Sequence, residues 1–188
     1  SGALFDLVKL ADVSAGVIGA FDAEKVTKDV LEWAKGHDEE LYALLNRDTD
    51  YAQGIFAIDR GGKKPRKDIR KWSDVRDYVS YFYDELWQGE YDLPENLQKE
   101  DMIAILDTYA KAYDGVKAIC EGLGFCPEVK AYKQDPTGWK GHVGDVSNVI
   151  RVAITGRKNS PDLWSIMTLL GKERSLSRLE KMKEFLAK

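Results

Sequence analysis

The chain has 188 residues, enough for one large domain or two small ones. Hydrophobic residues make up 44%, so a core can form and wholesale disorder is ruled against. The formal net charge of −4 argues, as an average, against nucleic acid as a partner.

No apolar run approaches the ~20 residues that span a bilayer, so no membrane partner is expected. Leu4 to Leu10 is short and broken by Asp6 and Lys9, which excludes it as a signal peptide. Ser1-Gly2 reads as a cloning remnant, and the chain is then expected to be a piece of something longer. Cys120 and Cys126 are expected as reduced, core or near-core thiols of a cytoplasmic protein. Two cysteines with the scattered His37 and His142 do not make a metal site, which needs several ligands at close spacing.

Taken in order, nearly every segment predicts helix. Asp22 caps a run in which Val26, Val30, Leu31 and Trp33 fall mostly on one side. Asp38-Glu39-Glu40 places acids before Leu41, Leu44 and Leu45, and Thr49 or Asp50 opens a helix bearing Ile55, Phe56 and Ile58. The Gly- and Lys-rich connection from Asp59 to Lys67, with Pro65, predicts a loop. Ser73 and Asp74 then start a helix with Val75, Tyr78, Val79, Phe82, Tyr83 and Leu86. The cluster of Trp72, Tyr78, Tyr81, Phe82, Tyr83 and Trp87 is expected mainly as packing between helices.

Gly89 to Asn96 is rich in turn residues and marks a boundary. Helices resume with Met102, Ile103, Ile105, Leu106 and Tyr109, then with Val116, Ile119 and Leu123. Phe125 to Gly141 reads as an irregular connection. Val143 to Ile154 has strand-like composition, but its length and the period of Val146, Val149, Ile150 and Ala153 favour helix. The final segment, Lys172 to Lys188, carries Leu176, Leu179, Met182, Phe185 and Leu186 on one face. The expected fold is all-α, two consecutive helical-bundle subdomains over residues 1–90 and 91–188.

The sequence offers no catalytic constellation. There is no phosphate loop, no nucleophile elbow and no paired metal-ligand motif, and His142-Val-Gly-Asp145 reads better as a helix start than as an acid–base pair. Charge is more informative. Arg60, Lys63, Lys64, Arg66, Lys67, Arg70, Lys71 and Arg76 crowd one stretch against only Asp68 and Asp74. Flanked by Trp72 and Tyr78, that stretch fits the mixture of phosphate contacts and stacking surfaces that unpaired RNA bases require, although a basic loop is more often merely solvated.

The segment Arg151 to Gly171 contains a full helix-start signal. Ser160 is read as the N-cap, Pro161 as the first helical residue and Asp162 as a charge matched to the dipole, before Leu163, Ile166, Met167 and Leu170. Arg157, Lys158 and this helix start could face an anion, while an ordinary structural turn is the plainer reading.

Here the residues resemble a family. Arg151-Val-Ala-Ile-Thr-Gly-Arg157, Asn159-Ser-Pro-Asp-Leu163 and Ile166-Met167 through Gly171-Lys-Glu-Arg174 look like the C-terminal segment of bacterial glutamyl-tRNA synthetases. Tyr51-Ala52, Pro65-Arg66, Asp68 and Lys71-Trp72 are similar to the part of those enzymes that reaches the anticodon. Leu4-Phe5-Asp6-Leu7 and Phe21-Asp22 with Glu24-Lys25 resemble the junction after the catalytic body. The ATP-binding HIGH and KMSKS-like motifs are absent.

The resemblance thus implies the anticodon-binding half of a class I synthetase, a helical cage without the catalytic domain. This fragment is expected to be inactive and free of cofactors, with ATP and magnesium used only by the missing domain. The implied partner is glutamate tRNA, bound by a monomer, with no DNA. Arg66 matches the arginine that reads the third anticodon base, with Arg60 and Arg70 as neighbouring registers. Arg151, Ser160, Pro161, Leu163 and Trp164 match positions around the anticodon bases. Lys63, Lys64, Lys67, Arg70, Arg157 and Lys158 are expected phosphate contacts. The rival expectation is a helical protein-interaction module that binds no RNA.

Overall fold

Asp6, Asp22, Asp38 and Asp48 each accept a backbone N–H at a helix start in the computed structural model, which describes residues 6–188. They open α1 (Leu7–Ala20), α2 (Ala23–His37), α3 (Glu39–Arg47) and α4 (Thr49–Ala57). A carboxylate there satisfies an orphaned donor and sits at the positive end of the helix dipole. Asp38 and Asp48 each end one helix and cap the next, so α2, α3 and α4 follow one another through single-residue joints. The cap of α4 is therefore Asp48, not Thr49 or Asp50.

The helix expected from Ser73 to Leu86 is broken instead into a 3-10 turn at Trp72–Asp74, the short α5 (Val75–Val79) and a second 3-10 turn at Ser80–Phe82. The aromatics are core, as expected for most of them: Tyr78, Tyr81, Phe82 and Tyr83 are all buried. Large rings on successive residues cannot all face inward from one continuous helix, and the tightened turns redirect them.

The chain then forms α6 (Lys99–Ala112), α7 (Val116–Leu123), the short α8 (Val129–Gln134), α9 (Val143–Thr155), α10 (Leu163–Leu170) and α11 (Lys172–Leu186). The region from Val143 is helical, so periodicity prevails over β-branched composition. His142 caps α9 by accepting the Gly144 N–H at 2.9 Å, which makes it a helix start and not half of an acid–base pair. Gly156 closes α9 in the left-handed region at φ 77°, where a side chain would be strained. No strand forms among the described residues, and none of their helices is long and apolar enough to cross a membrane.

Two compact units result. The first runs to Trp87 and also takes in Trp164–Leu169; the second comprises Gln88–Leu163 and Leu170–Lys188. In the first, α2 packs on α3 and α4 around Val26, Val30, Leu41, Leu45, Ile55 and Phe56. Gly54 of α4 lets Leu169 approach so closely that an added Cβ would lie 3.0 Å from its Cδ2. In the second, α6, α9 and α11 pack pairwise around Ile105, Leu106, Val149, Ile150, Leu179 and Met182, with Cys120 and Cys126 as buried free thiols. Phe185 departs from the expected buried face of α11: it is exposed and lies against Tyr91, with ring centroids 5.0 Å apart.

Candidate nucleic-acid interface

The basic stretch does not present a uniform cationic surface, because most of its cations already have partners. Arg60 turns inward. Its Nε donates to the Phe56 carbonyl at 2.6 Å, and its Nη1 donates to those of Ile18 and Phe21 at 2.8 and 3.0 Å. It thereby closes the ends of α1 and α4, where carbonyls lack helical donors. Arg76 grips Asp38 through two bonds of 2.7 and 2.6 Å and reaches Glu40 at 2.9 Å. That contact holds the Asp38 carboxyl below the usual carboxylate range.

Three further cations make exposed ion pairs or lie near one. Lys67 meets Asp12 at 3.0 Å, Arg70 meets Asp74 at 3.5 Å, and Lys158 meets Asp92 at 3.1 Å in the second unit. Such pairs contribute at most about 1 kcal/mol and open readily for a stronger anion. Lys63 and Lys64 stand exposed in the loop, whereas Arg157 is half-buried and shares its backbone N–H with the Thr155 hydroxyl.

Arg66 lies at a shallow, open cleft lined by Ile18, Gly19, Asp59, Arg60, Asp68 and Tyr78, among others. Its Nε and Nη2 donate to the two carboxylate oxygens of Asp68 at 2.6 and 3.0 Å. This side-on pair raises the Arg66 pKa, so the group stays charged. Tyr78 forms part of the wall. It is buried and stacked on Phe56 at 6.3 Å, so it is not the open stacking surface the sequence suggests. Burial pushes its phenol up to about 12, and it remains a neutral group.

The segment carrying Arg66 is seated on α1. Ser14 donates to the Arg70 carbonyl at 2.5 Å, and Ile69 is buried. An added Cβ at Gly19 would lie 3.0 Å from the Arg66 carbonyl oxygen and 3.6 Å from Pro65. Gly19→Ala gains helix propensity but overpacks backbone that cannot swing away, so we expect a net loss of about 1 kcal/mol. Urea unfolding checks this, and a more stable variant would show that the loop yields freely.

In the second unit Arg151 gathers the expected loop. Its Nη1 donates to the Ser160 hydroxyl, to the Ser160 carbonyl at 3.3 Å and to the Pro161 carbonyl at 2.9 Å. Ser160 is consequently not the N-cap, and Pro161 is not the first helical residue: α10 begins at Leu163, and the Ser160 hydroxyl is occupied with Arg151 and the Pro161 carbonyl. Ser160, Pro161 and Leu163 are buried, whereas Trp164 is 43% exposed. The structure thus brings Arg151, Ser160 and Pro161 together, and sets Arg66 with Asp68, Arg60 and Tyr78.

Two residues that matter to these arrangements were not read as site residues in the sequence. Asp68 stood out as one of two acids in a basic run and as part of the family resemblance, and Arg178, on the amphipathic last segment, was not singled out. Among the described residues no cluster of three or more His, Cys, Asp or Glu is placed to hold a metal.

A profile of the family described as the anticodon binding domain matches residues 63–183, which is most of the chain. The chain belongs to the anticodon-binding domain family. Its curated relatives carry the name glutamate–tRNA ligase. The protein from Sorangium cellulosum is 43% identical over 95% of this chain and 33% of its own length. That from Clostridium beijerinckii is 40% identical over 96% of the chain and 35% of its own length, and that from Acetivibrio thermocellus 38% identical over 97% and 35%. The chain spans about a third of the length of the relatives it matches. The family match begins inside the Lys63–Lys64 loop, so α1 to α4 lie outside it.

Proposed function

We propose that the chain is the tRNA-binding region of a glutamate–tRNA ligase and that it grips the anticodon loop of glutamate tRNA. The observation that carries this reading is the 38–43% identity to glutamate–tRNA ligases along nearly the whole chain, joined to the anticodon-binding family match. The chain acts by recognition, as a cytoplasmic monomer. Attachment of glutamate, with ATP and magnesium, belongs to the catalytic portion of the larger enzyme, which its relatives' greater length accommodates.

Within that reading Arg66 faces the third anticodon base, cytosine in glutamate tRNA. A planar guanidinium offers several donors in a fixed fork, which suits a base edge better than a flexible ammonium does. Trp164 offers stacking surface, while Arg151, Ser160, Pro161 and Leu163 hold the loop before it in shape. Lys63 and Lys64, with Lys67, Arg70, Arg157 and Lys158 after exchange of their present contacts, reach phosphates.

Titration of labelled glutamate tRNA across a salt series tests the reading. Affinity falls steeply with salt as counterions are displaced by phosphate contacts. Arg66→Ala is expected to reduce discrimination at the third anticodon base by about 1–3 kcal/mol. Absence of binding at low salt, with a protein partner recovered instead, would replace this reading with a protein-interaction module.

A further inference from the structure

We infer that Asp68 is a positioning residue that turns Arg66 from a phosphate-gripping cation into a base reader. The inference rests on the reading of Arg66 as the residue that faces a base, and it says how that selectivity is built.

The geometry carries it. Asp68 occupies the Nε–H and one Nη2–H of Arg66, at 2.6 and 3.0 Å. A guanidinium has five N–H donors in one plane. With the side edge taken, the remaining donors lie on Nη1 and on the outer side of Nη2, which together form an end-on fork. Two parallel donors match two adjacent acceptors. On a Watson–Crick edge only cytosine supplies them, through O2 and N3. Uracil and guanine each place a donor at the middle position, and adenine offers one acceptor beside a donor.

Charge points the same way. A free arginine beside RNA is drawn to phosphate, which surrounds every nucleotide and carries no sequence information. Arg66 paired to Asp68 is close to neutral as a unit, and the other two charged residues lining the cleft, Asp59 and Arg60, are of opposite sign. The pair therefore loses most of its general pull on the backbone and keeps its directed donors. Both residues sit on a seated segment: Ile69 is buried, and the Arg66 carbonyl packs on Gly19. The fork is thus fixed before a base arrives, and little ordering remains to oppose binding.

The test uses the full chain and two synthetic anticodon stem-loops of glutamate tRNA, one with cytosine and one with uridine at the third position, because an unpaired guanine could offer the fork its O6 and N7 instead. Asp68→Asn removes the charge but keeps the shape. It should bind both RNAs more tightly at low salt and steepen the salt slope by about 1, as one cation is released to phosphate. The affinity ratio between the two RNAs should meanwhile fall by at least about fivefold, the low end of what a bidentate pair supplies. Arg66→Lys, which keeps the charge and lacks the fork, should lose the same ratio and serves if Asp68→Asn does not fold. An Asp68→Asn protein that keeps the wild-type ratio, or an Arg66→Lys protein that does so, overturns the inference. If Arg66→Ala abolishes the ratio while Asp68→Asn keeps it, the positioning role alone falls. If neither RNA binds the wild-type chain, the RNA-binding reading falls, and this inference with it.

Discussion

Replacing Arg178 by alanine is expected to destabilise the second unit by about 3–4 kcal/mol, the size of a large-to-small change in a packed core. Arg178 is only 2% exposed, and its Nη1 donates to the Ile154 carbonyl at 2.9 Å. Ile154 lies in the last turn of α9, where carbonyls have no helical donor and the dipole favours a cation. Alanine would leave both a cavity and an orphaned acceptor. Arg178→Met separates the two, because it fills much of the space and restores no donor; a loss of about 1–2 kcal/mol is expected for it. Urea midpoints measure both variants. Burial raises the Tyr91 phenol pKa, with the charge of Arg178 opposing it, so the phenol of an Arg178→Ala protein should titrate at still higher pH. An alanine variant within 1 kcal/mol of wild type would mean that α11 is not anchored through this residue.

The second large effect concerns Arg60. Its three bonds to the carbonyls of Phe56, Ile18 and Phe21 tie the end of α1 to the end of α4. Bonds from a charged donor contribute more than neutral ones, but the group is only partly buried, so Arg60→Ala should cost about 2–3 kcal/mol. Lysine cannot replace it, since one ammonium cannot reach carbonyls that diverge around a planar group. Hydrogen exchange should quicken first in α1, with α2 to α4 protected for longer. A phosphate-binding arginine would behave in the opposite way. Its loss would reduce the salt slope of RNA binding by about 1 and leave stability unchanged. That outcome would return Arg60 to the RNA surface.

The fold was legible where a periodic apolar face met a capping acid. Asp22 before Val26 and Val30, and Asp38 before Leu41 and Leu45, announce α2 and α3 unambiguously. α1 gave no comparable signal. Leu7, Val8, Leu10, Val13 and Val17 stay exposed, while small residues such as Ala15 and Gly19 make the contact. A helix that buries one large residue, Ile18, beside Ala15 and Gly19 and shows five others defeats a rule that assigns large apolar residues to the inside. The run of charge from Arg60 to Arg76 was equally visible, but composition cannot say which way a guanidinium turns. Arg60 and Arg76 serve carbonyls and carboxylates from other elements, and those partners lie tens of residues away in sequence. The Ser160-Pro161 signal failed for a similar reason: Arg151, one helix earlier, takes the hydroxyl that a local rule reserves for the helix.

Leu169 fits against Gly54, and the six residues from Trp164 to Leu169 belong to the first unit although the whole of Gln88–Leu163 precedes them. A chain emerging from the ribosome therefore presents α1 to α5 with one wall missing. Loop closure over so long a stretch adds only modest entropy cost, so the completed unit is not weakened by it. Timing is what changes. Of the two units, the one synthesised earlier is the later to be sealed, and until then its apolar gap beside Gly54 is open to chaperones or to a neighbouring nascent chain.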